Sequence, residues 1–319
     1  MKGKFIISLD YELMWGVRDK RTIESYGENV SAVPQVIDKL LSCFSSFNVQ
    51  ATFATVGFLF AKDKEELIRY LPQVKPNYDD KNLNPFIGYI DSIGDNSSDH
   101  YHYAIDSIHK IKKDGKHEIS THTFSHYYCL EKGQNEKSFL EDVNSAKAIA
   151  EKEGINIKSI VFPRNQYNPS YDKILLDNKI NIYRGNEKSW FYSSKNGEEE
   201  TLIRRMMRLI DTYVNISGNH CFSVSNNVSE ELHNIPSSRF LRPYNPRLKM
   251  FEDLRLNRIK KSMTYAAKKG LCYHLWWHPH NFGSHQNENF LFLTKILNHY
   301  KYLNEKFGFQ SCTMENSIY

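Results

Sequence analysis

The sequence predicts an α/β fold, a parallel sheet covered by helices. Two observations carry that reading. Strand-like and helix-like segments alternate from the N-terminus to the end of the chain, the pattern of sheets built from strand–helix–strand units. Polar, chemistry-bearing residues also recur directly after apolar runs: Asp10 and Glu12, His122 and His126, Arg164, His278 and His280. Folds of this class gather their chemistry at the C-terminal ends of the strands.

The run from Phe5 to Leu9 is apolar and reads as a buried strand ending at Asp10-Tyr11-Glu12. Over 33–47, Val36, Ile37, Leu40, Leu41 and Phe44 recur at helical spacing, and Pro34 suits a first turn. Residues 51–56, rich in β-branched and aromatic side chains, form a second strand. A helical piece covers 65–70. Residues 75–103, dense in Pro, Asn, Asp, Gly and Ser, read as a surface insertion. Further helices are expected over 104–113, 137–153, 172–178, 204–214, 255–269 and 289–307. Further strands are expected at 118–120, 159–162, 180–183 and 271–277. No repeat or linker divides the chain, so residues 1–319 are read as a single domain.

Composition narrows the classes of function. The formal charge is +5 over 319 residues, with no basic stripe, which argues against nucleic acid. The 43 aromatic rings (20 Tyr, 19 Phe, 4 Trp) supply a core before they supply a sugar platform. The five cysteines are scattered, odd in number and without a C-x-x-C, which suits free thiols in a reducing compartment. The N-terminal apolar run is too short for a signal core, and nothing approaches the roughly 20 apolar residues of a membrane span. A cytoplasmic location is the expectation, and a homo-oligomer is left open.

His122 and His126 stand four apart, a spacing at which two imidazoles can converge on one metal from a single helical turn. Alone that spacing is weak among 13 histidines. Its context, Asp114-Gly-Lys-His117-Glu118-Ile-Ser-Thr-His122-Thr-Phe-Ser-His126, resembles the signature of the polysaccharide deacetylases, carbohydrate esterase family 4. Ser8-Leu-Asp10-Tyr-Glu12 occupies the place of that family's acidic pair. Ala51-Thr-Phe-Ala-Thr-Val-Gly57, Val161-Phe-Pro-Arg164 and Leu275-Trp-Trp-His278-Pro279 are similar to its later motifs, in the same order.

The resemblance implies a distorted (β/α) barrel of seven strands that removes an N-acetyl group from an amino sugar. It implies a divalent metal, zinc first, held by one acid with His122 and His126. A second acid acts as general base, and His278 protonates the leaving amine. The family's acids are often adjacent, whereas Asp10 and Glu12 are separated by Tyr11; on a strand both face one side. Glu12 is assigned as the ligand and Asp10 as the base, with the swap as the alternative. Arg164 is expected to orient the base or the substrate, and Asn165, Tyr167 and Trp277 to line the cleft. Asn186 lies where the family's fourth-motif acids are missing. His280 and Asn281 either support His278 or are plain loop residues. Arg239 and Arg242 fit a phosphate or ordinary surface charge, and His100 and His102 a covering loop or solvated side chains. The expected substrate is a small-molecule or lipid-linked sugar, a cytosolic precursor of a surface polysaccharide. Two rivals use the same scaffold: an amidohydrolase of formamides or cyclic amides, and a silent carbohydrate-binding protein.

Overall fold

The computed structural model describes residues 2–95, 99–224 and 232–319. Its strands are β1 (Lys4–Tyr11), β2 (Thr52–Thr55), β3 (Glu118–Thr121), β4 (Ser159–Val161), β5 (Ile182–Arg184), β6 (His233–Asn234), β7 (Arg239–Phe240), β8 (Cys272–Trp277) and β9 (Gln310–Cys312). Eight of them follow the order β6-β5-β4-β3-β2-β1-β8-β7, and every paired neighbour is parallel. The ninth, β9, lies beside the first half of β1, along Lys4–Ile6, while the second half pairs with β2. The α/β barrel is therefore as predicted, but with eight strands along its path rather than seven.

The extra strand arises from one short segment. β6 and β7 are two-residue pieces of the same stretch of chain. Ile235 and Ser237 donate their N–H groups to β5 and to Gly185 just beyond it; Ser238 and Leu241 donate to β8. The segment thus changes partner midway and joins the two ends of the sheet.

Helices cover the outside: α1 (Ile23–Ser31), α2 (Val33–Phe47), α3 (Lys64–Arg69), α4 (Tyr89–Ser92), α5 (Ile105–Asp114), α6 (Glu136–Lys152), α7 (Asp172–Asp177), α8 (Leu202–Tyr213), α9 (Glu252–Lys269) and α10 (Gln286–Phe307). The expected helix over 289–307 begins three residues earlier. α1 has no counterpart in the sequence reading; its start is a capping box between Thr22 and Ser25.

Pleating divides β1 between two environments. Phe5, Ile7, Leu9 and Tyr11 face the helices, in the main core with Phe44, Leu40 and Trp277. Ile6 joins a second cluster with Ala54, Val161, Ile182 and Ile235 that fills one end of the barrel interior. Above Ile6 on the same face come Ser8, then Asp10, so the interior turns polar towards the strand ends. Ser8 accepts from Arg184 and meets His274 at 2.8 Å.

The 75–103 segment, apart from residues 96–98, which lie outside the described residues, is built into this frame. Asn77 and Asp79 bond backbone to backbone with Gly133 and Lys132. Trp15 Nε1 donates to the His102 carbonyl, and Met14 N to Tyr101 O. His102 is buried, bonded to Asp99 and Tyr89, and is not a solvated side chain. His100 is exposed.

Candidate active site

Three side chains converge where β1 and β3 end. Glu12 Oε2 lies 3.1 Å from His126 Nε2 and 3.4 Å from His122 Nε2, and all three residues are buried. Glu12 has left the strand; it begins the 3₁₀ turn Leu13–Gly16, whose residue Leu13 takes a positive φ of 47°. Gly16 lies under the Glu12 carboxylate, and a Cβ there would overlap it. Trp15, locked by His102, braces the turn from outside.

The histidines come from an irregular loop, not from a helical turn. Thr123 and His126 take positive φ values of 62° and 57°. Asp142 of α6 holds that loop, accepting from Phe124 N at 2.7 Å, Ser125 N at 3.1 Å and the Ser125 hydroxyl. Tyr127 N donates to Thr123 Oγ1 at 2.7 Å, and Gly57 and Phe58 tie the loop to the end of β2.

The His122 tautomer follows from its partner. Its Nδ1 faces the Val161 carbonyl at 2.8 Å, and a carbonyl only accepts, so Nδ1 carries the proton. Nε2 is left with its lone pair towards Glu12. Burial, assisted by neighbouring charges and only partly offset by Glu12, pushes the His126 pKa down to about 4 and keeps that ring neutral. Burial pushes Glu12 up, but His278, His122 and His126 together hold it well below the usual carboxylate range.

This set fits a divalent cation. Donors roughly 2.1 Å from a tetrahedral metal stand about 3.4 Å apart, close to the separations here. Among the described residues, Glu12, His122 and His126 are the one group of three with this capacity. Two imidazoles and a carboxylate suit zinc and its first-row neighbours.

Asp10 lies beside the triad on a different tether. Arg184 of β5 grips it with both terminal nitrogens, at 2.6 and 2.8 Å. Burial raises the Asp10 pKa, but Arg184, with His122 and His278, outweighs it and lowers the value. Arg184 also donates to Asn165 Oδ1 at 2.8 Å, and its guanidinium sits 4.3 Å from the Trp276 ring. It is fully buried. No motif in the sequence marks Arg184, and Arg164, expected to orient the base or the substrate, does not touch Asp10. Arg164 instead pairs with Asp19 and covers the Tyr128 ring at 4.3 Å.

His278 stands opposite. Its Nε2 is 3.6 Å from Glu12 Oε1 and 3.8 Å from Asp10 Oδ2. Asn281 faces its Nδ1 at 3.3 Å, and Tyr26 donates to the Asn281 oxygen, which turns the amide N–H₂ towards the ring. Nδ1 then accepts and Nε2 carries the proton into the site. Asn281 is a partner of His278 and not a plain loop residue. So is His280, stacked on His278 with centroids 5.0 Å apart and buried, its pKa pushed down to about 3 by burial and by His278.

A cleft of about 1110 Å³ leads away from His278. Asn165, Arg164, Trp276, Arg239, Phe240 and Arg242 line part of it. Two expected lining residues are elsewhere. Trp277 is fully buried against Phe282 and Phe44 in the main core. It pairs in register with Leu9, which faces the helices, whereas Trp276 pairs with Ser8, which faces the interior. Tyr167 stacks on Tyr183 at 4.4 Å and donates to Asp172, outside the cleft. Asn186 stabilises the cleft wall through Asn165, Tyr192 and Ser194. Arg239 is buried, 2.5 Å from Asp211, so it is not surface charge.

The family model described as polysaccharide deacetylase matches residues 26–182, which include His122, His126 and Arg164 but neither Glu12 nor His278. Solved structures share the fold. A Mycobacterium smegmatis protein assigned to the polysaccharide deacetylases is 12% identical, with 99% of this chain and 89% of that one covered, at a TM-score of 0.61. One of the same description from Pseudomonas aeruginosa PAO1 is 10% identical, covered 99% and 89%, at 0.54. A GH57-type branching enzyme from Pyrococcus horikoshii is 15% identical, covered 99% and 70%, at 0.52, so these likenesses bear on the fold alone. No curated protein matches the sequence.

Proposed function

This chain belongs to the polysaccharide deacetylase family, and from that membership we propose that it is a metal-dependent hydrolase removing an N-acetyl group from an amino sugar. The observation that carries the proposal is the convergence of Glu12, His122 and His126 beside a second, separately tethered carboxylate and a histidine. A silent binder has no use for that separation of roles.

A divalent ion held by Glu12, His122 and His126 supplies Lewis acidity, polarising an amide carbonyl and acidifying a water. Asp10, ionised and aimed by the two-pronged grip of Arg184, is the general base that takes the proton from the attacking water. Arg184 thereby takes the base-orienting part expected of Arg164, which lines the cleft instead. His278, with Asn281 holding its Nδ1 side, presents an Nε2 proton to the departing nitrogen. His280 fixes the plane of that ring. Trp276, nearly buried among Arg184, Phe240 and His278, forms part of the cleft floor beside His278, and Asn165 offers a hydrogen-bonding partner.

The test is acetate release from a panel of N-acetylated amino sugars by zinc-loaded protein. Turnover is expected with the native chain and a loss of at least about a hundredfold with H126A. Formate or a ring-opened product in place of acetate would transfer the site to a different amide; no product from any substrate would defeat the proposal.

A further inference from the structure

α8 is turned inside out. Its polar residues Arg204, Asp211 and Thr212 face the protein and are buried. Arg204 donates to the carbonyls of Trp190 and Ser193, at 2.7 and 2.5 Å. Asp211 accepts from Arg239 at 2.5 Å, Ser217 at 2.6 Å and Tyr192 at 3.0 Å. The opposite face carries Leu202, Ile203, Met206, Leu209 and Ile210, exposed by 74, 64, 59, 37 and 45%. At about 100° per residue these five form one continuous stripe. Soluble helices do the reverse. Rotating α8 to hide the stripe would strip Asp211 and Arg239 of their partners, so the exposure is built in.

The stripe continues beyond the helix. Trp190, whose carbonyl anchors Arg204, is exposed, and so are Met250 and Leu254 next to Phe251, whose ring meets Tyr213 at 5.9 Å. Contiguous apolar surface on this scale marks an interaction face. Its charge selects the partner. No exposed acid lies on α8. Arg205 borders the stripe and stands close enough to Lys20 to repel its charge. The acids that precede the helix are engaged: Glu198 by Lys132, Glu199 by Lys195 and Glu200 by Arg208. On α8 itself, an apolar stripe edged by Arg205 with no exposed acid is the make-up of a helix lying in a lipid interface, and Asp253 is the exposed acid beside Leu254 at its far end.

The geometry points to α8 as a docking element that lies on an anionic lipid surface, apolar stripe down. No helix among the described residues is long and apolar enough to cross a membrane, so the contact is peripheral. Leu202, Met206 and Leu209 also line the cleft that holds His278. Docking therefore brings the cleft mouth to the membrane. On the deacetylase reading, the sugar it receives is one carried on a lipid phosphate.

The test is flotation of the full chain with vesicles of phosphatidylcholine, with and without phosphatidylglycerol. The native protein is expected to float with the anionic vesicles and to be released by high salt. The double variant I203E/I210E changes two exposed residues outside the cleft. It should lower the bound fraction about tenfold or more while leaving the unfolding midpoint and acetate release from a soluble sugar unchanged. Failure of native protein to float, or equal flotation of the variant, overturns docking. So does a dimer in light scattering that the variant dissolves without any vesicle binding. Because flotation needs no turnover, the docking and deacetylase readings fail separately.

Discussion

Gly16 is the residue on which the candidate metal site turns. It has no Cβ, and the Glu12 carboxylate occupies the space a Cβ would fill. Gly16→Ala should therefore push Glu12 off the two imidazoles and weaken zinc binding by at least about tenfold, about 1.4 kcal/mol. Competition against a chromophoric chelator measures this, and unchanged affinity would show that Glu12 is not a ligand. Asp10, Glu12, His122, His126 and His278 stand out in the sequence through the motifs that resemble the deacetylase family, and the structure brings them together. Arg184 does not stand out, since its role depends on β5 lying across the barrel from β1, a relation that spacing does not encode. Of the adjacent tryptophans the sequence reading puts Trp277 in the cleft; the register sets Trp276, not Trp277, beside the inward-facing Ser8.

At the scale of elements, the loop that carries both histidines owes its shape to α6. Asp142 accepts three hydrogen bonds from it while fully buried. Asp142→Ala leaves three buried donors unsatisfied and should cost about 2–4 kcal/mol in urea unfolding. A loss below about 1 kcal/mol would mean that Thr123 and the β2 contacts suffice. The long helices and the strands β1 to β5 and β8 could be read from periodicity, with ends shifted by a few residues. β6, β7 and β9 could not. β6 and β7 are two-residue pieces too short to alternate, and β9 (Gln310–Cys312) lacks the apolar residues that mark β4 and β5; all three become strands because neighbours offer unpaired backbone groups. The 75–103 segment reads as an insertion from composition, but its bracing of the Glu12 turn depends on buried His102, which composition assigns to solvent.

For the whole molecule, buried histidines set the acid limit. Burial, with nearby charges, depresses the pKa of His126 to about 4 and of His274 and His280 to about 3. The unfolded chain protonates these rings near pH 6.5 and the fold does not, so stability falls as pH drops through that window. Each costs about 2 kcal/mol between pH 7 and pH 5. Asp142, raised by burial to about 7, and Glu118, also raised by burial, act in the opposite sense, while His220, lowered by burial to about 4, adds to the loss. Metal-free protein should thus be several kcal/mol less stable at pH 5 than at pH 7 in urea titrations, and a flat profile would contradict the burial of these rings. The barrel itself is unevenly paired. The segment 233–241 closes it with a handful of backbone bonds, exchanging β5 for β8 on the way, whereas β1 and β8 run in register over six residues. The wall bearing Glu12, His122 and His126 is thus the more densely paired, and the wall bearing Arg239 and Phe240 the more lightly paired through its backbone. On the deacetylase reading, room for bulkier sugars is expected at that seam, where changes leave the residues across the barrel undisturbed.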